Sequence, residues 1–308
     1  MKNLSKSIAG QLIINNISFI IVKGKITAII GPNGAGKTTL MKLIMGTINP
    51  DSGSILVLND VIEKSSIREQ VGYIPEHLEF PPRSTPKHFL RHLCILNSFT
   101  FQQAQNHIYQ IAKNLEFGSL LNKGFSTLSA GMRQKIRLAV GFMHQDLQFL
   151  LVDEPTTNLD ILAREIFLNF LQQNVRENGL TVFYSSHVFP EVKRIADYLF
   201  ILHEGSVVGQ YDFCESTLKH KTRNYRLRVD NIQLAVRVLE ANGFSVSLIH
   251  NDSLLLKLQS QQKSNDSIDL LRKHDIQIHS FTEDPHVEAF SQLLKIQQTT
   301  SEKLILEN

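Results

Sequence analysis

Residues 26–46 read ITAIIGPNGAGKTTLMKLIMG, and this stretch decides the fold. Four of its first five residues are apolar, which predicts a strand. After the loop, Leu40, Leu43 and Ile44 form one apolar helix face, and Gly46 is a stop signal. Between the two, GPNGAGKT matches the G-x4-G-K-[ST] pattern of a phosphate-binding loop. Since a strand precedes and a helix follows, the sequence predicts a triphosphate site.

The residue types in this loop have separate physical roles. Glycines let the backbone curl so that successive N–H groups and the helix N-terminus face a β-phosphate. Lys37 is expected to reach the β- and γ-phosphate oxygens, and Thr38 to bind Mg²⁺. The loop residues predicted to bind ATP are Gly31, Pro32, Asn33, Gly34, Ala35, Gly36, Lys37, Thr38 and Thr39.

A second apolar run ends in two adjacent carboxylates. Phe149–Val152 predicts a buried strand, and Asp153 and Glu154 follow it directly. In a chain with a phosphate loop, this arrangement indicates an Asp153 that holds Mg²⁺ through water and a Glu154 that activates the attacking water. The pattern therefore predicts nucleotide hydrolysis.

The rest of the first part of the chain alternates between strand and helix patterns. Further strands are predicted over 17–21, over 55–60 and over 181–184. A helix is predicted from Ile161 to about Val175, and residues 85–121 have the spacing of a helical insert. Short apolar runs separated by a helix favour buried parallel strands, so the fold class is α/β.

A second module is predicted to begin after a linker near 216–223. The pattern there predicts a split βαβ arrangement, with Asn231 and Gly243 at the ends of its first helix, and a polar tail after Gln297. Its predicted elements are strand 225–229, helix 232–241, strand 244–249, turn 251–252, strand 254–258, helix 267–274, strand 276–281 and a helix from Pro285.

Composition restricts the function. The chain of 308 residues is longer than one typical domain. Its net charge of +3 is too small to indicate a surface that binds nucleic acid. No apolar run approaches the ~20 residues of a membrane-spanning helix, and polar residues interrupt the N-terminus where a signal peptide would be apolar. The two cysteines, Cys94 and Cys214, lie far apart, so buried free thiols in a reducing compartment are expected.

Three more motifs complete a recognisable order: LSAGMRQKIRLAV at 128–140, Asn158-Leu-Asp160, and His187 in FYSSHV. With VGYIPEHLEF at 71–80, the chain resembles the nucleotide-binding subunit of an ATP-binding cassette (ABC) transporter over residues 1 to about 220. Residues 221–308 are similar to the C-terminal extension of bacterial drug, antibiotic and polysaccharide export ATPases, with DPHVEAFSQLL at 284–294.

The resemblance implies a domain organisation. Residues 1–220 would be a P-loop ABC-type ATPase domain with a helical subdomain at about 77–130, and 221–308 a small ferredoxin-like α+β module. It also implies that two copies of this chain, or this chain and a related ATPase subunit, close on two ATP molecules with Mg²⁺. That dimer would energise a separate polytopic membrane permease, in an exporter, from the inner face of the cell membrane.

The resemblance assigns further residues to the site. Ser129 and Gly131 would complete the γ-phosphate cage of the opposite subunit, and Asp160 would stand in the D-loop. His187 would be the switch histidine, and Glu76 the Q-loop ligand of Mg²⁺ or of the attacking water. Together with Lys37, the residues Glu154 and His187 form the expected catalytic group, and Thr38, Asp153 and Glu76 the expected metal ligands.

The chain departs from the family pattern at four positions. Glu76 stands where the family has glutamine and adds negative charge near phosphates. Ala130 and Met132 change LSGGQ to LSAGM, and Ile8 takes the place of the adenine-stacking aromatic residue. We interpret these as tolerated variants of an active ATPase rather than a degenerate site, because the phosphate-loop, carboxylate and histidine positions are all present. Weaker base stacking predicts looser nucleotide selectivity.

Two other classes of protein share parts of this pattern. ABC-type ATPases that act on ribosomes or DNA usually carry two cassettes or a long coiled coil, and this chain has one of each motif and no heptad run. A small-molecule P-loop kinase shares the phosphate loop but does not need LSAGM or a switch histidine after it. Both alternatives are therefore disfavoured, and no nucleic-acid partner is expected.

Two smaller clusters have alternative interpretations. His88, His92 and Cys94 have metal-like spacing, but no further ligand follows and Cys94 would point elsewhere, so ordinary surface histidines are favoured. A group of aromatics and prolines near the Q-loop either forms part of a groove in which a partner's helix docks or belongs to the ordinary core, and both interpretations stay open. That group consists of Tyr73, Phe80, Pro81, Pro82 and Phe89.

Overall fold

The computed structural model of the chain describes residues 1–62, 64–214, 223–250, 253–258 and 261–283. The chain divides into two compact units, the first over Met1–Gln210 and the second starting at Tyr211. Within the described ranges, the first unit contains two sheets and the second contains one.

The first unit alternates strands and helices. Its strands are β1 (Lys2–Ile8), β2 (Gln11–Ile17), β3 (Ile26–Ile30), β4 (Ser52–Ser54), β5 (Val71–Ile74), β6 (Phe149–Asp153), β7 (Thr181–Ser186), β8 (Tyr198–His203) and β9 (Ser206–Asp212). Its helices are α1 (Lys37–Ile44), α2 (Ser65–Arg68), α3 (Pro86–Leu96), α4 (Phe101–Asn114), α5 (Ala130–Val140), α6 (Ile161–Asn178) and α7 (Phe189–Ile195).

A six-stranded sheet in the order β5-β6-β7-β3-β8-β9 forms the centre of the first unit. The predicted parallel pairing is confirmed, because β6 pairs with β7 and β7 with β3 in parallel. The register sets Asp153 opposite Ser185 and Ile30 opposite Ser186. The carboxyl ends of three strands therefore meet at the edge where the phosphate loop begins, which is where open α/β sheets bind ligands.

Two predicted strands in this unit are wrong. The apolar positions at 17–21 are not a strand: β2 ends at Ile17, and Phe19 is buried because its ring packs 4.3 Å from that of Phe200. The strand predicted over 55–60 is replaced by the exposed β4 and a bridge between Val57 and Asp60. Leu58 and Asn59 have φ of 52° and 69°, so the chain turns back within the apolar run.

The helices begin and end at recognisable signals. Thr85 caps α3 with Pro86 at its first position, and Thr100 forms a capping box with Gln103 at the start of α4. Both helices lie within the segment 77–130, together with 3-10 turns at Gly118–Leu120 and Phe125–Thr127. The helix α6 runs three residues beyond its predicted end, until Gly179 adopts the left-handed conformation.

The second unit contains β10 (Arg223–Val229), α8 (Ile232–Ala241), β11 (Ser245–His250), β12 (Ser253–Leu258), α9 (Gln261–Lys273) and β13 (Ile278–Glu283). Its sheet has the order β11-β12-β10-β13 with antiparallel pairing throughout. The helix α9 begins six residues before its predicted start, because Ser264 and Ser267 occupy buried positions that an apolar pattern does not detect. The predicted turn at 251–252, the linker at 216–222, the helix from Pro285 and the tail after Gln297 lie outside the described residues.

Candidate nucleotide site

The phosphate loop has the backbone that its glycines were predicted to provide. Gly34 and Gly36 have φ of 80° and 104°, and a Cβ added at Gly36 would lie 2.9 Å from the carbonyl oxygen of Ile13 in β2. Gly36 is also the N-cap of α1, which has no side-chain cap and no acidic residue in its first turn. The N-terminus of α1 can therefore receive an anion.

Lys37 is buried at the base of this loop, with 6% of its surface exposed. Its Nζ donates to the carbonyl oxygens of Gly31 and Pro32, at 2.8 and 3.1 Å. It also lies 3.3 Å from Oε1 of Glu154. This last contact is an ion pair and not a hydrogen bond, because Oε1 has no hydrogen-bond partner among the described residues. A cation and an acceptor oxygen thus face one another at the end of the loop.

Asp153 ends β6 and is fully buried. Its Oδ1 accepts from the hydroxyl of Ser185 at 2.6 Å, and its Oδ2 lies 3.5 Å from the hydroxyl of Tyr73. Burial, and next the charge of Asp153, raise the pKa of Tyr73 far above its usual value, so this phenol remains a neutral donor. The carboxylate is consequently held in one orientation.

Glu154 follows immediately with φ of 43°, a backbone conformation that non-glycine residues rarely adopt. Its N–H donates to the Ser185 hydroxyl oxygen at 3.0 Å, and its Oε2 lies 2.8 Å from Nδ1 of His187. Strain of this kind persists where surrounding contacts enforce it and is concentrated at functional sites. The structure brings Lys37, Asp153, Glu154 and His187 together at this turn.

The remaining predicted residues lie at helix ends or strand ends. Ser129 caps α5 by accepting from the N–H of Met132, and Gly131 lies in the first turn. Asp160 caps α6 by accepting from Ala163 at 2.7 Å. Ser129 and Asp160 thus cap the helices that follow them, and each satisfies one backbone N–H of the first turn.

Glu76 and Ile8 occupy more open positions. Glu76 lies shortly after β5, and its side chain is about one-third exposed, with Oε1 3.6 Å from Nε2 of His77. Ile8 ends β1 and is 47% exposed. Its exposed side chain is accessible for the predicted contact with a base.

Sequence reasoning missed a buried network behind the catalytic turn. Glu191 in α7 accepts from the hydroxyls of Thr156 and Tyr184 at 2.7 and 2.9 Å, and lies 3.1 Å from Nε of Arg164. Burial, and next the charge of Glu191, raise the pKa of Tyr184 well above its usual value. These contacts tie the segment after Glu154 to β7 and α7, and no local pattern marks them because Thr156 and Arg164 are distant from Glu191 in sequence.

The smaller clusters have structural roles. Nδ1 of His92 lies 2.6 Å from the carbonyl oxygen of His88, and Cys94 is buried with its Sγ 3.4 Å from Sδ of Met143. Over the described residues, no group of three histidine, cysteine or acidic side chains could hold a metal ion. Both cysteines are free thiols, but Cys214 is only half-buried, contrary to the expectation of burial.

The aromatic group near the Q-loop is a packed cluster. The Phe80 ring stacks on Phe125 with centroids 4.4 Å apart and meets Phe89 edge-on at 5.3 Å. Phe125 is buried, whereas Phe80 and Phe89 are half-buried and Pro81 and Pro82 are exposed. One side of the cluster is therefore core, and its other side reaches the surface.

A strand-loop-helix phosphate site beside two strand-ending carboxylates and a histidine defines a P-loop nucleotide hydrolase, and comparison with known proteins gives the family. A family model described as ABC transporter matches residues 14–157. The bacitracin transport ATP-binding protein BcrA of Enterococcus faecalis is 31% identical over 247 residues, which cover 78% of this chain and 77% of that protein. The Nod factor export ATP-binding protein I of Burkholderia orbicola (strain AU 1054) is 30% identical over 214 residues, with 68% and 69% covered.

The fold comparison agrees. A solved structure described as the ATP binding subunit of an ABC transporter superposes with a TM-score of 0.63 at 26% identity, covering 68% of this chain and 88% of that one. The chain belongs to the ABC transporter family, and it is an ATP-binding, ATP-hydrolysing transporter subunit. The resemblance drawn from the motifs is confirmed, and the alternative of an ATPase acting on ribosomes or DNA is not favoured. None of the helices that the structure describes is long and apolar enough to cross a membrane.

Proposed function

We propose that this subunit forms a closed dimer around two ATP molecules, with a second copy or a related ATPase subunit, and thereby drives a separate membrane permease in the export direction. The observation that carries the proposal is the clustering of three residues around Glu154. Lys37 and His187 each lie within 3.3 Å of its carboxylate, and Asp153 is the preceding residue. The name of one relative, for Nod factor export, supports the direction, and the name of the other, for bacitracin transport, supports a role in transport.

The donor set fits a magnesium ion. Thr38 supplies a hydroxyl oxygen, and Asp153 supplies a buried carboxylate that Ser185 already orients. Glu76 adds a second carboxylate, from a half-buried position. When bound, magnesium supplies positive charge to the β- and γ-phosphate oxygens. These oxygen ligands are the type that the ion prefers, and the site needs no nitrogen or sulfur donor.

Phosphate binding, proton transfer and positioning of the base are assigned to different residues of the chain. The loop over residues 31–39 binds the phosphates through backbone N–H groups, and Lys37 moves from its carbonyl contacts onto the phosphate oxygens. Glu154 accepts the proton of the attacking water at Oε1, the oxygen that has no hydrogen bond from any residue that the structure describes. His187 holds the other carboxylate oxygen in place and senses the γ-phosphate.

The second subunit completes the site. Ser129 and Gly131 lie at the N-terminus of α5, where backbone N–H groups can face the γ-phosphate held by the opposite subunit. Asp160 begins α6 and contributes to the same interface. Hydrolysis removes the phosphate that bridges the two faces, so the dimer opens and the permease, which holds the subunit at the inner face of the membrane, changes state.

We infer a division into an ATPase domain over 1–220, with a helical subdomain at about 77–130, and a C-terminal module over 221–308. The antiparallel order β11-β12-β10-β13 with two helices supports a ferredoxin-like assignment for the module. Its proposed role is to support or regulate the dimer, since the predicted ATP-binding and catalytic residues all precede residue 190.

The test uses the full chain. We expect Mg²⁺-dependent ATP hydrolysis, and we expect Lys37→Ala to abolish nucleotide binding because it removes the buried cation of the loop. Affinity purification from detergent-solubilised membranes should recover a polytopic permease together with the chain. Recovery of ribosomes or DNA in its place, or hydrolysis that is unchanged in Lys37→Ala, would contradict the proposal.

A further inference from the structure

Arg137 is a buried cation that lies outside the predicted site. It belongs to α5, the helix that Ser129 caps, and only 2% of its surface is exposed. Its Nη1 donates to the carbonyl oxygens of Pro75 and Glu76, and its Nη2 donates to that of Pro155 at 2.8 Å. A buried guanidinium is costly unless its donors and its charge are both satisfied, so these contacts call for an explanation.

The three acceptors belong to two functional segments. Pro75 and Glu76 follow β5, and Pro155 follows the proposed base Glu154 directly. The guanidinium therefore joins α5 to both segments through backbone atoms. Within the part of the chain that the structure describes, its Nε has no hydrogen-bond partner, and Arg137 forms no ion pair with a carboxylate. The three hydrogen bonds all go to neutral carbonyl oxygens, so none of them supplies a negative charge to offset the guanidinium.

Two nearby carboxylates offset part of the cost of burying that charge. Burial lowers the pKa of Arg137 to about 10, while the negative charges of Glu76 and Asp153 act in the opposite direction. Arg137 therefore remains protonated at neutral pH. Asp153 has its own partners in Ser185 and Tyr73. Among the described residues, Glu76 has only the neighbouring His77 within ion-pair distance.

We propose that Arg137 is a positioning residue for Glu76: its charge offsets the carboxylate at the position where the resembled family has glutamine, and its carbonyl contacts hold the Glu76 segment against the turn that carries Glu154. This inference rests on the proposed function, in which Glu76 faces Mg²⁺ and the triphosphate. A second negative charge there repels the phosphates, and a fixed cation near it reduces that repulsion.

Gln134 provides a matched control on the same helix. Its Nε2 donates to the carbonyl oxygens of Pro155 and Thr157, at 3.1 and 2.9 Å. It thus anchors the same turn as Arg137 but carries no charge, and both of these acceptors come after Glu154 in the chain. A loss that arises only from a loosened turn will be shared by Gln134 and Arg137 variants, whereas an effect of charge on Glu76 is confined to Arg137.

The experiment is a double-mutant cycle on kcat/KM for Mg²⁺-ATP in the full chain, with melting temperatures measured in parallel. The variants are Glu76→Gln, Arg137→Met and Gln134→Met, singly and with Glu76→Gln combined with each of the others. In the chain that keeps Glu76, we expect Arg137→Met to lower kcat/KM at least about tenfold. In the Glu76→Gln background, we expect it to lower kcat/KM at most about threefold. The loss in Gln134→Met should be the same in both backgrounds.

Equal losses for Arg137→Met in the two backgrounds would overturn the proposal. If Arg137→Met does not fold, Arg137→Lys replaces it, because lysine keeps the positive charge. We expect Arg137→Lys to lower kcat/KM less than about threefold. A tenfold loss of kcat/KM that is the same in the Glu76→Gln background would also overturn the proposal. If the unmodified chain hydrolyses no ATP, the proposed function fails. If it does hydrolyse ATP and the cycle is additive, only the role of Arg137 fails.

Discussion

The hydroxyl of Ser185 donates to Oδ1 of Asp153 at 2.6 Å, across two neighbouring strands that set these residues opposite one another. The same hydroxyl oxygen accepts the N–H of Glu154 at 3.0 Å. Both Ser185 and Asp153 are fully buried. One hydroxyl thus orients the proposed metal ligand and the turn that carries the proposed base, and such supporting contacts determine metal affinity.

Ser185→Ala should raise the Mg²⁺ concentration needed for half-maximal ATP hydrolysis by about tenfold, because Asp153 loses the donor that fixes its orientation. The measurement is a Mg²⁺ titration of ATPase activity at saturating ATP. Ser186→Ala is the control: Ser186 is equally buried, but its hydroxyl accepts from the N–H of Val188 in its own segment. An unchanged Mg²⁺ requirement in Ser185→Ala, with similar loss of stability in both variants, would leave Ser185 a purely structural role.

The sequence predicted the parts of the site that are contiguous in the chain. The glycine loop, the strand ending at Asp153 and the histidine after β7 each lie within a short stretch whose pattern has few structural alternatives. Ser185, Arg137 and Glu191 could not be found this way, because most of their partners lie 18 to 62 residues away and others depend on a strand register. Polar residues at the end of the buried β7 were the one available signal.

The wrong strands have a related cause. Phe19 is buried by packing against rings from other strands, and an alternating pattern cannot distinguish that burial from burial within a sheet. In the segment 55–60, left-handed backbone at Leu58 and Asn59 reverses the chain although neither residue is glycine. Both errors therefore arise where tertiary packing or unusual backbone overrides local preference.

Ile8→Tyr should lower the KM for ATP, because an aromatic ring would stack on the base at the position where Ile8 cannot. The loss of one aromatic stack removes only ~1 kcal/mol of binding free energy for the base. In the unmodified chain, the rate of GTP hydrolysis should therefore lie within about tenfold of the rate of ATP hydrolysis. Steady-state kinetics with both nucleotides test this. Leu12→Tyr, at a similarly exposed position in β2, controls for an added tyrosine on the same hairpin. Strong ATP preference in the unmodified chain, with no gain in Ile8→Tyr, would mean that another side chain covers the base.

A chain that ends at Lys219 should remain folded and bind ATP within about threefold of the full-length affinity. The reason is that the last strand of the six-stranded sheet, β9, ends at Asp212, so the truncation keeps both sheets of the first unit. Circular dichroism and a nucleotide-binding titration are the measurements. An insoluble product, or one that cannot bind ATP while the full chain does, would show that the two parts share one core.

The central claim, that Glu154 is the base of an ATP-driven dimer, is tested most directly by Glu154→Gln, which keeps the side-chain shape but removes the proton acceptor. The measurement is the molar mass in solution by light scattering, with ATP turnover assayed on the same sample. We expect turnover to fall at least a hundredfold and the mass, with Mg²⁺-ATP but not with ADP, to rise to about twice the 35.0 kDa of one chain. ATP hydrolysis at a near wild-type rate by this variant, with no ATP-dependent dimer, would contradict the account.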